Sequence, residues 1–184
     1  MKFHSNRWSR SSIRLRGYDY TKAGVYFVTL CTFESECLFG EVVDGEMLLS
    51  EAGEIARRCW MRIPEHFANV DLDEFQIMPN HVHGIVVLKS FVGTRHAVSL
   101  QQQNTQQFGK PVPGSLSTII RSYKSAVSKC VHTEGHAEFA WQSRFHDRII
   151  RNHKEFQNIR KYICENPAKW ESDEENPVNI AKRG

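Results

Sequence analysis

The stretch from Val70 to Leu88 constrains this chain more than any other. Val70-Asp71-Leu72-Asp73-Glu74-Phe75-Gln76-Ile77-Met78 alternates imperfectly between polar and apolar, which predicts a strand. His81 to Leu88 is a second, strongly apolar strand, and only Pro79-Asn80 separates the two, so they are expected to pair as an antiparallel hairpin. Successive side chains of a strand point to opposite faces. His81 and His83 therefore share one face, about 6–7 Å apart along the strand, with Val82 turned into the core behind them. A pair of imidazoles on a rigid element suits a divalent metal. It is equally a pair of polar groups on a solvated face, and two ligands alone cannot complete a coordination shell.

The rest of the chain supplies partners for that hairpin. Val25 to Cys31 is rich in β-branched and aromatic residues and reads as a buried strand. Asp44-Gly45, set between short apolar runs in Glu41 to Leu49, predicts a tight hairpin. Ser50 offers an N-cap to a helix over Gly53 to Trp60 that ends near Pro64. Leu116, Ile119, Ile120, Tyr123, Val127 and Val131 fall at helical spacing. Arg148-Ile149-Ile150 is strand-like, and Lys154 to Glu165 is helical, with Phe156, Ile159, Tyr162 and Ile163 on one side and Pro167 as its stop. The expected fold class is an α+β sandwich: a mostly antiparallel sheet with helices on one face. The 184 residues divide into a basic arm (1–20), a main unit (21–170) with a Gln-rich flexible loop at 90–113, and a polar tail (171–184).

Net charge is only +3, too small an excess to argue for nucleic acid by itself, but its distribution is uneven. Arg7, Arg10, Arg14 and Arg16 crowd the arm among Trp8, Tyr18 and Tyr20, while Arg121, Lys124, Arg144, Arg148 and Arg151 crowd the last third. Such clusters follow a phosphate backbone or simply solvate helix faces, and arginine interleaved with aromatics suits single strands. Arg144 and Arg148 have a second option, an ion pair with Asp147 or another acid. The five cysteines are odd in number and lack CxxC spacing, which points to free thiols in a reducing cytoplasm. The amino terminus shows no signal-peptide pattern and no run is long enough to span a bilayer, so no membrane association is expected.

A third metal ligand has to come from another element. Tyr162 and Asn166 lie four apart on the final helix, so one face presents a phenol and a carboxamide oxygen. Each has an ordinary alternative: Tyr162 as a core residue, Asn166 as a helix cap before Pro167. Tyr123 competes as a nucleophile, but the residue one turn later is Val127, so it reads as packing or a phosphate contact. His146 and His153 read as surface histidines.

These landmarks in this order resemble the single-tyrosine HUH (His-hydrophobic-His) transposases, the insertion-sequence-200-like enzymes and the REP-associated tyrosine transposases. The resemblance rests on His81-Val82-His83 after Met78-Pro79-Asn80, on Trp141-Gln142, on Gly17-Tyr18-Asp19-Tyr20 and on Tyr162 to Pro167, and covers roughly residues 13–170. It implies a ferredoxin-like α+β fold and cleavage and rejoining of single-stranded DNA, at hairpin elements, through a 5′-phosphotyrosine on Tyr162. It also implies a divalent metal, Mg²⁺ or Mn²⁺, on His81, His83 and Asn166; in the insertion-sequence enzymes a glutamine occupies the Asn166 position. Arg14, Arg16, Arg121, Lys124, Arg144 and Arg148 are the candidate DNA contacts. The family includes dimers and monomers, so a monomer or homodimer is expected. Two other readings stay open: a hairpin-binding module that no longer cuts, and a metal-dependent nuclease without a covalent intermediate.

Overall fold

A computed structural model describes residues 22–90 and 112–182 of the chain. The arm with Arg14 and Arg16, and most of the expected loop, lie outside the described residues. The elements are β1 (Gly24–Cys31), a 3₁₀ turn (Phe33–Ser35), β2 (Gly40–Val43), β3 (Glu46–Leu49), α1 (Glu51–Met61), α2 (Ile63–His66), β4 (Val70–Ile77), β5 (His81–Leu88), α3 (Leu116–Thr133), β6 (His146–Ile150), α4 (His153–Glu165), a 3₁₀ segment (Pro167–Ser172) and α5 (Pro177–Lys182). Asp44 and Gly45, both at positive φ, turn β2 into β3 as their residue types favour. Ser50 caps α1 through Gly53 N at 3.2 Å, Ser115 caps α3, and Asn152 caps α4 through Glu155 N at 2.9 Å.

The main sheet is antiparallel throughout, in the order β4-β5-β1-β6. With α1 after β1 and α3 after β5, the chain runs βαββαβ around it, which is the ferredoxin-like arrangement of an α+β sandwich. Tyr26, Val28 and Leu30 of β1 and Val82 and Val86 of β5 point to one side and are fully buried. There they meet Ile55, Ala56 and Trp60 of α1 and Leu116, Ile119, Tyr123 and Val127 of α3.

The expectation of helices on one face holds for α1 and α3. The final helix departs from it: α4 lies on the other face, where Ile163, Phe156 and Ile159 pack on Ile85, Ile150, Val25, Phe27 and Val87. An apolar helix face announces that it will be covered, not which side of the sheet will cover it. A one-residue bulge in β4 helps hold α4. The register shifts between Leu72 and Phe75, and Asp73 and Glu74 of the bulge receive Arg160 at 2.9 and 3.7 Å.

Between the two histidines' strand and α1, Gly84 has no room for a side chain. A Cβ there would overlap the indole of fully buried Trp60. Gly84→Ala is expected to destabilise the protein by about 1–3 kcal/mol through overpacking, measurable as a lower urea midpoint by circular dichroism. An unchanged midpoint would mean that Trp60 has room to retreat.

Candidate functional site

His81 and His83 emerge from β5 on the α4 face, their ring centroids 4.3 Å apart. Both are buried, at 0% and 3% exposure, although the sequence also allowed a solvated pair. α4 lays Tyr162 against them: its hydroxyl is 3.2 Å from His83 Nε2, and its ring stands edge-on to Phe27. One turn further, Asn166 is buried at the helix end. Its Nδ2 donates to Asp173 Oδ2 at 2.7 Å, while its Oδ1 has no hydrogen-bond partner.

Asp173 is the residue that sequence reasoning missed. It lies in the segment read as a polar tail, yet it is buried, and one ligand atom each from His81, His83 and Asp173 fall within 4.8 Å of one another. Glu175 N donates to Asp173 Oδ1 at 2.7 Å, and Trp170 packs its ring toward His81.

The hydrogen bonds fix the proton on His81. Asn80, fully buried, donates through Nδ2 to the carbonyls of Ser35 (3.1 Å) and Glu175 (2.7 Å). Its Oδ1 must then be the atom 2.8 Å from His81 Nδ1, so that nitrogen carries the hydrogen. His81 Nε2 is left as a bare lone pair, buried and without a partner. A ring nitrogen held this way by a neighbouring oxygen is the usual preparation of an imidazole for a metal. On His83, Nδ1 sits 2.9 Å from Thr29 Oγ1.

The electrostatics agree. Burial drives His81 down to about 3, and burial followed by the nearness of His81 holds His83 well below its usual range, against the pull of Asp173. Both imidazoles are therefore neutral at pH 7, the form that ligates metal. Unfolded imidazoles titrate near 6.5, so between about 6.5 and 3 the unfolded chain binds protons that the folded chain refuses. The metal-free protein is expected to keep its full stability above pH 6.5. It should lose about 1.4 kcal/mol per pH unit through His81 as the pH falls through that window, with His83 adding a loss in the same direction. Urea midpoints at pH 7, 5.5 and 4.5 with a chelator present measure it, and a flat profile would refute it. The Tyr162 phenol is pushed above its ordinary value by burial first and then by Asp173, Glu174 and Glu175, with a hydrogen bond from Asn166 opposing them.

The remaining sequence candidates lie on α3, β6 and α4 and in the segment between α3 and β6. Tyr123 is in the main core on the opposite face, its hydroxyl donating to Ala56 O at 3.2 Å. Lys124 is half-buried and donates to the carbonyls of Gln142 (2.7 Å) and Arg144 (3.0 Å), so its ammonium braces that loop; burial lowers it to about 8. Arg148 pairs with Glu155 at 2.7 Å. Arg121 and Arg144 are exposed, as is His153, while His146 is half-buried on β6. All five cysteines are free, and among the described residues no helix is long and apolar enough to cross a membrane.

The sequence matches no protein-family model. An uncharacterised protein of Haemophilus influenzae is 36% identical over 173 residues, covering 94% of this chain and 96% of that one. The chain belongs to the family of that protein. Its fold is shared with a REP-associated tyrosine transposase solved bound to a REP hairpin, with a TM-score of 0.54 at 19% identity over 83% of this chain and 72% of that one. A crystal structure of a putative transposase from Deinococcus radiodurans aligns at a TM-score of 0.44 with 15% identity, over 82% and 94% of the two chains.

Proposed function

We propose that this member of the family is a metal-dependent DNA strand transferase that cleaves and rejoins single-stranded DNA at hairpin elements, with Tyr162 as nucleophile. The observation that carries the reading is the Tyr162 hydroxyl 3.2 Å from His83 Nε2, at the edge of the buried His81–His83–Asp173 group and within one chain. The fold shared with a transposase solved on a REP hairpin supports the choice of DNA.

The residues present fit a divalent cation. His81 Nε2 and Asn166 Oδ1 are buried polar atoms with no partner, and Asp173 adds a carboxylate oxygen within 4.8 Å of a ring nitrogen of each histidine. Imidazole, amide and carboxylate together suit Mn²⁺ or Mg²⁺. Such an ion would polarise the scissile phosphate and offset the charge that develops on its oxygens.

The chain's own residues do the rest. α4, held by its apolar face and by Arg160 on the β4 bulge, presents the Tyr162 oxygen beside the histidine pair. Burial first, and then Asp173, Glu174 and Glu175, raise the Tyr162 phenol above its ordinary value, so it rests protonated at pH 7. On attack, the Tyr162 oxygen forms a bond to phosphorus and the bond from phosphorus to the 3′ oxygen breaks. The phenol proton passes to solvent, which reaches the 42%-exposed tyrosine, and the departing 3′ oxygen takes up a proton. The product is a tyrosyl ester of the 5′ phosphate and a free 3′-hydroxyl. Attack of a 3′-hydroxyl on that ester reverses the step and rejoins DNA without outside energy. A single chain holds every group this requires, so the reading needs no second subunit.

The test is a hairpin oligonucleotide with single-stranded flanks, incubated with Mn²⁺ and run on a denaturing gel. A protein–DNA adduct carrying the 3′-end label is expected. Cleaved DNA without any adduct would make the protein a nuclease, and binding without cleavage would make it a binding module.

A further inference from the structure

Beside the histidine pair lies a cleft of about 980 Å³ that the reaction as written does not use. It is at the upper end of the range small-ligand sites span, roughly 300–1,000 Å³. Its floor continues the site across the sheet. Gln76 of β4, His83 of β5, Thr29 of β1 and His146 of β6 stand in one cross-strand row. Thr29 touches His83 and lines the cleft together with His146. His146 is two strand spacings from His83, roughly 10 Å. In the next row on the same face are Phe27, a partly buried residue whose ring also meets His83 and Tyr162, and Arg148 opposite it. The first turns of α4 and the residues before them form the wall, where Arg151, Lys154, Asn158 and Ile159 line the cleft and the first three are exposed.

The charges leave a positive rim. The acids at the cleft are Asp147 and Glu155, and Glu155 is already engaged, pairing with Arg148 at 2.7 Å and accepting Arg151 N at 3.0 Å. The side chains of Arg151 and Lys154 are exposed. Cations along a rim, aromatic rings on the floor and an amide on the wall are the elements that hold an unpaired polynucleotide: phosphates outside, bases stacked within.

We infer that this cleft carries the unpaired nucleotides adjoining the phosphate attacked by Tyr162, with Arg151 and Lys154 on the backbone and Phe27 and His146 against the bases. The inference rests on the DNA-transferase reading and adds the path of the strand. It assigns the exit from the metal pair to the β6 side of the sheet.

Binding of a fluorescein-labelled 15-mer of thymidylate to the full chain, read by anisotropy with a chelator present, separates binding from cleavage. Arg151→Ala with Lys154→Ala should weaken binding about tenfold near 0.1 M salt. It should also make the log–log salt dependence shallower by about 1.4, since each phosphate contact to a single strand contributes about 0.7. The hydrogen bond to Glu155 uses the Arg151 backbone N–H, which alanine retains. Lys129→Ala, an exposed cation on α3, should change neither. Photocrosslinking of the wild-type protein to the same strand bearing 5-iodouracil gives a readout that needs no variant, and the crosslinked peptides should contain Phe27 or His146. No binding of this strand by the wild-type chain would overturn the cleft, and no binding of the hairpin oligonucleotide either would sink the DNA reading itself. Wild-type binding with an unaltered double variant, or crosslinks confined to other peptides, would overturn only the cleft.

Discussion

Tyr162→Phe is expected to abolish the covalent protein–DNA adduct and to lower strand cleavage by at least about a thousandfold, the scale of losing a nucleophile outright. The change removes one oxygen. It costs the hydrogen bonds to His83 and from Asn166, each worth about 1 kcal/mol, and leaves the ring edge-on to Phe27, so fold and DNA affinity should persist. That separation distinguishes chemistry from folding: a variant that binds the labelled hairpin like wild type and forms no adduct identifies the attacking atom. The control is Tyr123→Phe. Its hydroxyl is tied to Ala56 O in the main core, so that variant should lose a little stability and keep the adduct. An adduct that survives Tyr162→Phe and vanishes with Tyr123→Phe would reverse the assignment.

The second large effect concerns the metal. His81 Nε2 is a buried lone pair with nothing to accept from, and His81→Ala deletes it. Mn²⁺ affinity by calorimetry should fall more steeply for His81→Ala than for Asn80→Ala, which removes only the oxygen that fixes the ring's proton. Loss of such a supporting group costs about 10–100-fold. Asp173→Ala and Asn166→Ala then decide which residue completes the pair. A loss of affinity in Asp173→Ala makes the carboxylate a ligand. Wild-type affinity there, with a loss in Asn166→Ala, would leave Asp173 the task of orienting the amide.

Much of this was legible in the residues. The Pro79-Asn80 break set the β4–β5 hairpin and, with the two-residue period, the shared face of His81 and His83. The four-residue spacing of Tyr162 and Asn166 set theirs. Asp173 was not legible, because it sits in the acidic run Glu171 to Glu175, where nothing in composition or spacing marks one carboxylate from its neighbours. It enters the site through a 3₁₀ segment and through Asn80, whose amide grips the carbonyl of Glu175 from 95 residues away. Lys124, a candidate phosphate contact, also holds the carbonyls of Gln142 and Arg144, a pairing that its charge alone does not announce. The side of the sheet taken by α4 was hidden for a related reason: periodicity gives an apolar stripe its angle on the helix but not the surface it meets.

The alternation along β5 has a consequence for descent. Val82, Gly84, Val86 and Leu88 face α1 and α3, and selection for a folded protein guards them whatever the protein does. His81 and His83 face the other way, and the proposed cutting reaction supplies the reason to keep both. A lineage without that use for them would be free to exchange either for another residue that fills the same buried space, with the β4-β5-β1-β6 sheet intact.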